Sequence, residues 1–226
     1  GPERALQSGQ INQKQMKSAL ILFSLLSLLS GIALLWISFG TQKLSYAILF
    51  LIIGLSAIWA AIKYTVGKSA YGYQGLGDVF VFLFFGWVSV IGVYFLQAQS
   101  IDIPIFLPAS ALGLLSTGVL NLNNTRDIVN DKASGKFTLA VKLGYQNARK
   151  YQMVLFLITL FISVWYTLSY GSGMWQQLFW ISVLPLSIVV FKTYQAKEPK
   201  ELDPLLKIQA LSTLLYAITF GLGQIL

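Results

Sequence analysis

Asn123, Asp127 and Asp131 stand four residues apart in the sequence. On an α-helix, residues at i, i+4 and i+8 share one face. The spacing therefore predicts a column holding one amide oxygen and two carboxylates. Carboxylates about 5–6 Å apart repel each other unless a cation lies between them. Mg²⁺ suits that position, because it is usually held by one or two carboxylates while substrate phosphates complete its shell. Arg126, Lys132 and Lys136 flank the column, and a guanidinium can grip phosphate through two parallel hydrogen bonds. The chemistry expected here is binding of Mg²⁺ and a diphosphate. Asn123, Asp127 and Asp131 would be the metal ligands, and Asp127 and Asp131 the catalytic pair. A solvated loop with incidental charges is the alternative reading of the same residues.

A second polar stretch runs from Lys63 to Asp78 and contains four glycines, which let backbone approach a ligand closely. Lys68 could neutralise a phosphate. Tyr64, Tyr71 and Tyr73 could hydrogen-bond to an aromatic ring or stack on it. Asp78 stands where the next apolar run begins, so it is either a substrate-binding residue or a helix N-cap. The stretch lacks the GxxxxGK[ST] pattern of a nucleotide-binding loop. The chain has no cysteine and no histidine. A thiolate nucleophile, a histidine base and nitrogen or sulfur metal ligation are thereby excluded. Any metal must be oxygen-bound.

The elements that position these residues are apolar. Of 226 residues, 56% are hydrophobic and only 11% charged, against about 25% charged in an ordinary soluble domain. A helix needs about 20 mostly apolar residues to cross about 30 Å of hydrocarbon. Seven stretches qualify: 17–39, 44–62, 79–97, 103–120, 151–170, 174–191 and 205–225. The alternation of a membrane barrel is not seen, so the expected fold is all-α, a polytopic transmembrane helical bundle. Connections at 40–43, 98–102 and 171–173 are short, whereas those at 63–78, 121–150 and 192–204 are long and polar. With seven crossings, the long connections share a side with the N-terminal arm. All sixteen Lys and Arg except Lys43 fall on that side. The retention of basic residues in the cytoplasm then faces the arm and long loops inward. The net charge of +8 follows from this bias. No basic helix interleaved with stacking aromatics suggests nucleic acid as a partner. Gly31, Gly54, Gly86, Gly92, Gly113 and Gly118 lie inside the spans, where close helix–helix contact would account for them.

Three stretches resemble the UbiA superfamily of intramembrane prenyltransferases: Gly1–Ile11, Tyr71–Gly86, and Asn123–Asp131 continuing through Gly135-Lys-Phe-Thr-Leu-Ala-Val141 to Leu143-Gly144. Within it, the third stretch is most similar to the branch whose acceptor is 1,4-dihydroxy-2-naphthoate, in menaquinone synthesis. The resemblance implies nine helices around a cavity open to lipid, and two Asp-rich motifs that bind Mg²⁺ and a polyprenyl diphosphate. Asn123, Asp127 and Asp131 match the second motif, and Lys68, Arg126 and Lys136 would be diphosphate partners. The first two family helices and the first motif would precede Gly1. Residues 1–226 would then form one membrane-embedded domain equivalent to family helices three to nine, in a bacterial cytoplasmic membrane.

Overall fold

The computed structural model describes residues 9, 11–65, 70–171 and 173–226, so Lys68 lies outside the described residues. Helices dominate, and no strand occurs among the described residues. Two compact units divide the chain, residues 1–55 and 56–226.

The first unit contains α1 (Gln13–Phe39) and most of α2 (Leu44–Thr65). The start of α1 is fixed by reciprocal bonds. Asn12 Oδ1 accepts from the Gln15 N–H at 2.8 Å, and Gln15 Oε1 accepts from the Asn12 N–H at 3.0 Å. Two otherwise unpaired backbone donors near the helix start are thus satisfied. At the other end, the buried Phe39 ring packs on Tyr46 and Phe50, with centroids 5.8 and 5.5 Å away.

The second unit holds the remaining spans. The third is built from α3 (Gly77–Val81), a π-helical segment (Phe82–Ile91) and α4 (Gly92–Ala98). The fourth is α5 (Phe106–Arg126), followed by two short helices, α6 (Ile128–Ala133) and α7 (Leu139–Leu143). Then come α8 (Tyr145–Tyr170), α9 (Trp180–Gln195) and α10 (Asp203–Ile225). Helix α5 is central: it packs against α8, α10 and the π-helical segment. One apolar cluster joins Leu115, Phe179, Leu186, Tyr216 and Phe220; a second joins Leu122, Val189, Leu202 and Leu205. Outward residues such as Phe161, Leu168 and Leu184 are exposed, as a lipid-facing surface requires.

All seven expected spans are present, and the protein is a multi-pass membrane protein. Several helices outrun their apolar stretches. The long polar connection expected over 121–150 is largely helical, because α5 continues to Arg126 and α8 already starts at Tyr145. The polar residues there pair with one another instead of ending the helix. Asn121 Nδ2 donates to Ala148 O at 3.0 Å and to Gln152 Oε1 at 2.9 Å. Gln152 Nε2 reaches Gln209 Oε1 at 3.4 Å. A buried chain of amides thereby ties α5, α8 and α10 together, in keeping with the rule that buried polar groups find partners.

The glycines divide into two groups. A Cβ on Gly113 would lie 2.8 Å from Phe82 O and 3.1 Å from Gly86 Cα, and one on Gly86 would lie 2.7 Å from Ala109 O. The fourth span therefore crosses the third at bare backbone. Gly118 is similarly enclosed by Gln152 and Gln209. Close contact does not account for Gly31 or Gly54, because a Cβ there would meet nothing within 4 Å.

Candidate active site at the polar end of the bundle

The column of oxygen ligands spans two helices, not one. Helix α5 stops at Arg126, Asp127 takes φ −91° and ψ 7°, and α6 begins at Ile128. The register nevertheless survives the bend. The Asp127 N–H donates to Asn123 O at 3.1 Å, and the Asp131 N–H donates to Asp127 O at 2.8 Å. The i+4 hydrogen bonding thus runs through the break between the two helices.

Arg126 organises the upper half of the column. Its Nε and Nη2 donate to Asp127 Oδ1 and Oδ2 at 2.9 and 2.8 Å. The same Nη2 donates to Asn123 Oδ1 at 3.0 Å. Its Nη1 reaches Asp203 Oδ1 at 3.0 Å, at the start of α10. This grip holds the Asp127 carboxyl below the usual carboxylate range. Asp131 is buried, and burial pushes its carboxyl up against the opposing pull of Lys136, whose Nζ lies 3.6 Å from Asp131 Oδ1.

The two polar stretches meet here. Lys136 Nζ sits 5.1 Å over the Tyr73 ring, the Phe137 N–H donates to Tyr73 O at 2.9 Å, and Lys142 Nζ donates to Gln74 O at 2.6 Å. The turn carrying Tyr71–Tyr73 is drawn in tightly, since a Cβ on Gly72 would lie 2.6 Å from Tyr64 O. Tyr71 donates its hydroxyl to Ala60 O at 2.8 Å; burial raises the pKa of that hydroxyl. Its ring stacks on Phe80 at 3.9 Å and meets Tyr64 edge-on at 5.5 Å. Beside this aromatic stack lies a largely apolar cavity of about 420 Å³, lined by Ala57, Ala61, Tyr64, Tyr71, Phe80 and Phe84 among others.

Asp78 is not a helix N-cap. Leu76 occupies that position without a side-chain bond, and Asp78 is the second residue of α3. Helix α3 starts below the end of α5, where Thr117 Oγ1 reaches Asp78 O at 3.4 Å. The Asp78 side chain is therefore carried into the protein. It is 5% exposed, and its Oδ1 has no hydrogen-bond partner.

Asn123, Arg126, Asp127, Asp131 and Lys136 are thus brought together, with Tyr71 beside the adjoining cavity, whereas Asp78 is buried at the start of α3. Sequence reasoning missed Asp203. It lies 77 residues from Arg126, and its one signal was an Asp-Pro pair opening the last span.

A profile described as the UbiA prenyltransferase family matches residues 1–215. The chain belongs to the UbiA prenyltransferase family. It is 42% identical to 1,4-dihydroxy-2-naphthoate octaprenyltransferase of Escherichia coli (strain K12), over 99% of this chain and 72% of the relative. The protein of the same name from Haemophilus influenzae (strain ATCC 51907 / DSM 11121 / KW20 / Rd) is 40% identical over 100% of this chain and 73% of its own length. That of Mycobacterium leprae (strain TN) is 36% identical over 70% and 51% respectively. No solved structure matches the chain. As a UbiA family member, the protein is a prenyltransferase.

Proposed function

We propose that this protein transfers a polyprenyl group from a polyprenyl diphosphate to 1,4-dihydroxy-2-naphthoate, with loss of diphosphate and CO₂, giving the quinol form of demethylmenaquinone. The observation that carries the reading is identity of 40–42% along nearly the whole chain to proteins named for that acceptor. The charge layout supports it. Cationic and oxygen-rich groups gather at one end of an apolar bundle, where a lipid-soluble donor keeps its head. We place this end in the cytoplasm and the protein in the bacterial cytoplasmic membrane, from the one-sided distribution of Lys and Arg.

The donor set fits Mg²⁺. One Arg126 nitrogen already bridges Asn123 Oδ1 and Asp127 Oδ2. These oxygens therefore converge on a single cationic point, and all of them are hard donors. Asn123, Asp127 and Asp131 would hold the ion. When bound, it would supply charge neutralisation to the departing diphosphate. The chain's own residues do the remaining work. Lys136 stands beside Asp131 and, with Lys68, offers positive charge to the phosphate oxygens as the allylic C–O bond breaks. Preorganised charge of this kind is most effective where water is excluded. The apolar walls formed by Phe80, Phe84 and Tyr71 keep water from the allylic cation, and their ring faces stabilise it. The hydroxyl-activated naphthoate ring attacks through carbon, so no histidine base is required.

The test is a side-by-side assay. Membranes containing the full chain are given a radiolabelled polyprenyl diphosphate with 1,4-dihydroxy-2-naphthoate, 4-hydroxybenzoate or homogentisate. Label should enter a lipid quinol product with the naphthoate alone. Transfer to another acceptor in preference to the naphthoate would overturn the assignment.

A further inference from the structure

A buried carboxylate oxygen without a partner is expensive, because it has lost water and gained nothing in exchange. Asp78 is in that position: 5% exposed, with Oδ1 unpaired, and absent from the three ion pairs seen among the described residues. Its surroundings are built and not accidental. Thr117 of α5 holds its backbone carbonyl at 3.4 Å. Tyr64 stands against the helix start, its hydroxyl oxygen 3.5 Å from where a Cβ on Gly77 would lie. Thr117 precedes Asn123 by six residues on the same helix, so Asp78 lies about 9 Å deeper along the α5 axis than the first oxygen of the proposed metal site.

The two substrates differ in what they could offer this oxygen. A polyprenyl diphosphate carries no hydrogen-bond donor, and its negative charge is repelled by a carboxylate. The acceptor carries two hydroxyl donors. Its 1-hydroxyl sits beside its own 2-carboxylate and can bond internally, whereas the 4-hydroxyl is remote from that charge and needs an outside partner. Resting on the acceptor proposed above, we infer that Asp78 is the specificity-determining residue that accepts a hydrogen bond from the 4-hydroxyl of 1,4-dihydroxy-2-naphthoate. The substrate supplies the missing partner, and its ring is held below the diphosphate site. A carboxylate drawn to that O–H also leaves more electron density on the ring that must attack. A site built around a substrate hydroxyl discriminates against an analogue without it, since the buried acceptor is then left unpaired.

The experiment compares wild type, Asp78→Ala and Asp78→Asn in membranes of the full chain. Three constants are measured: KM for 1,4-dihydroxy-2-naphthoate, KM for the polyprenyl diphosphate, and the inhibition constant of 1-hydroxy-2-naphthoate, which keeps the carboxylate and lacks the 4-hydroxyl. For Asp78→Ala, KM for the naphthoate should rise about 10- to 100-fold, the scale of a hydrogen bond to a charged group. The other two constants should move less than about threefold. Asp78→Asn keeps the size and one neutral acceptor, and should show the same split at smaller amplitude. That variant also serves where the alanine protein fails to accumulate. Equal weakening of both aromatic compounds would mean that Asp78 only shapes the pocket, and selective weakening of the diphosphate would place it on the donor side; either result overturns the inference. Absence of naphthoate turnover by wild type is a separate outcome, which removes the parent reading and this one with it.

Discussion

Gly113→Ala tests whether the bare-backbone crossing of the third and fourth spans holds the site together. The new Cβ would lie 2.8 Å from Phe82 O and 3.1 Å from Gly86 Cα, where ordinary contact begins at 3.4 Å. The closer atom must retreat by about 0.6 Å. The Phe82 ring edge, 3.0 Å away, can swing aside, but Phe82 O and Gly86 Cα are backbone, so the two helices must still part. Overpacking of this kind costs about 1–3 kcal/mol, and contact on two sides places this case near the upper end. Alanine in a helix also gains about 0.8–1 kcal/mol over glycine, which masks part of the cost. Gly54→Ala removes that ambiguity, because its Cβ meets nothing within 4 Å and it receives the propensity gain alone. The difference between the two variants should be about 2–3 kcal/mol, or roughly 4–12 °C in melting temperature for a chain of this size. Fluorescence-monitored melting of the detergent-purified proteins reads it directly. Adding Gly86→Ala to Gly113→Ala should cost less than the sum, since the helices have already separated. Equal melting of Gly113→Ala and Gly54→Ala would refute the close crossing.

Other expectations follow from the same geometry. Asp127→Asn and Asp131→Asn should each abolish prenyl transfer while leaving melting and membrane yield close to wild type, and chelation of divalent cations should stop the wild-type reaction; turnover surviving either treatment would remove the metal role. Ser163→Ala strands the buried Tyr216 hydroxyl, bonded at 2.7 Å, and should cost about 1–3 kcal/mol. Tyr216→Phe should cost less, because Ser163 keeps its bond to Thr159 O at 2.7 Å; calorimetry or melting ranks the two. Sidedness can be read by labelling, because the native chain has no cysteine to interfere. A membrane-impermeant maleimide applied outside intact spheroplasts should label Ser100→Cys and not Ser134→Cys.

What the sequence made legible was set by the physics of each feature. Length and hydropathy alone determine whether a segment can cross a bilayer, so all seven spans were visible. A glycine's neighbours depend on which helices touch, so Gly54 and Gly113 looked alike before the fold separated them. The NxxxDxxxD register survived because hydrogen bonds from Asp127 and Asp131 carry it through the bend, although the bend itself left no mark in the spacing. The spacing shows Arg126 beside the carboxylates but not its third partner: the guanidinium lies on Asn123, Asp127 and Asp203, and only folding brings the last of these to 3.0 Å.

The arrangement has a consequence for binding. The oxygens proposed to hold Mg²⁺ are the ones Arg126 now neutralises, so an arriving metal and the guanidinium would compete for Asn123 Oδ1 and Asp127 Oδ2. A diphosphate arriving with the ion removes the competition by giving Arg126 new oxygens to hold. Metal and donor should therefore bind cooperatively, each lowering the cost of the other, while Asp203 retains one end of the arginine. Removing that tether with Asp203→Asn should change stability by less than about 1 kcal/mol, because Asp203 is mostly exposed. Its effect should fall instead on the coupling between Mg²⁺ and polyprenyl diphosphate, measured as the shift in apparent KM for one as the other is varied. An unchanged coupling would show that Arg126 does not need its partner on α10.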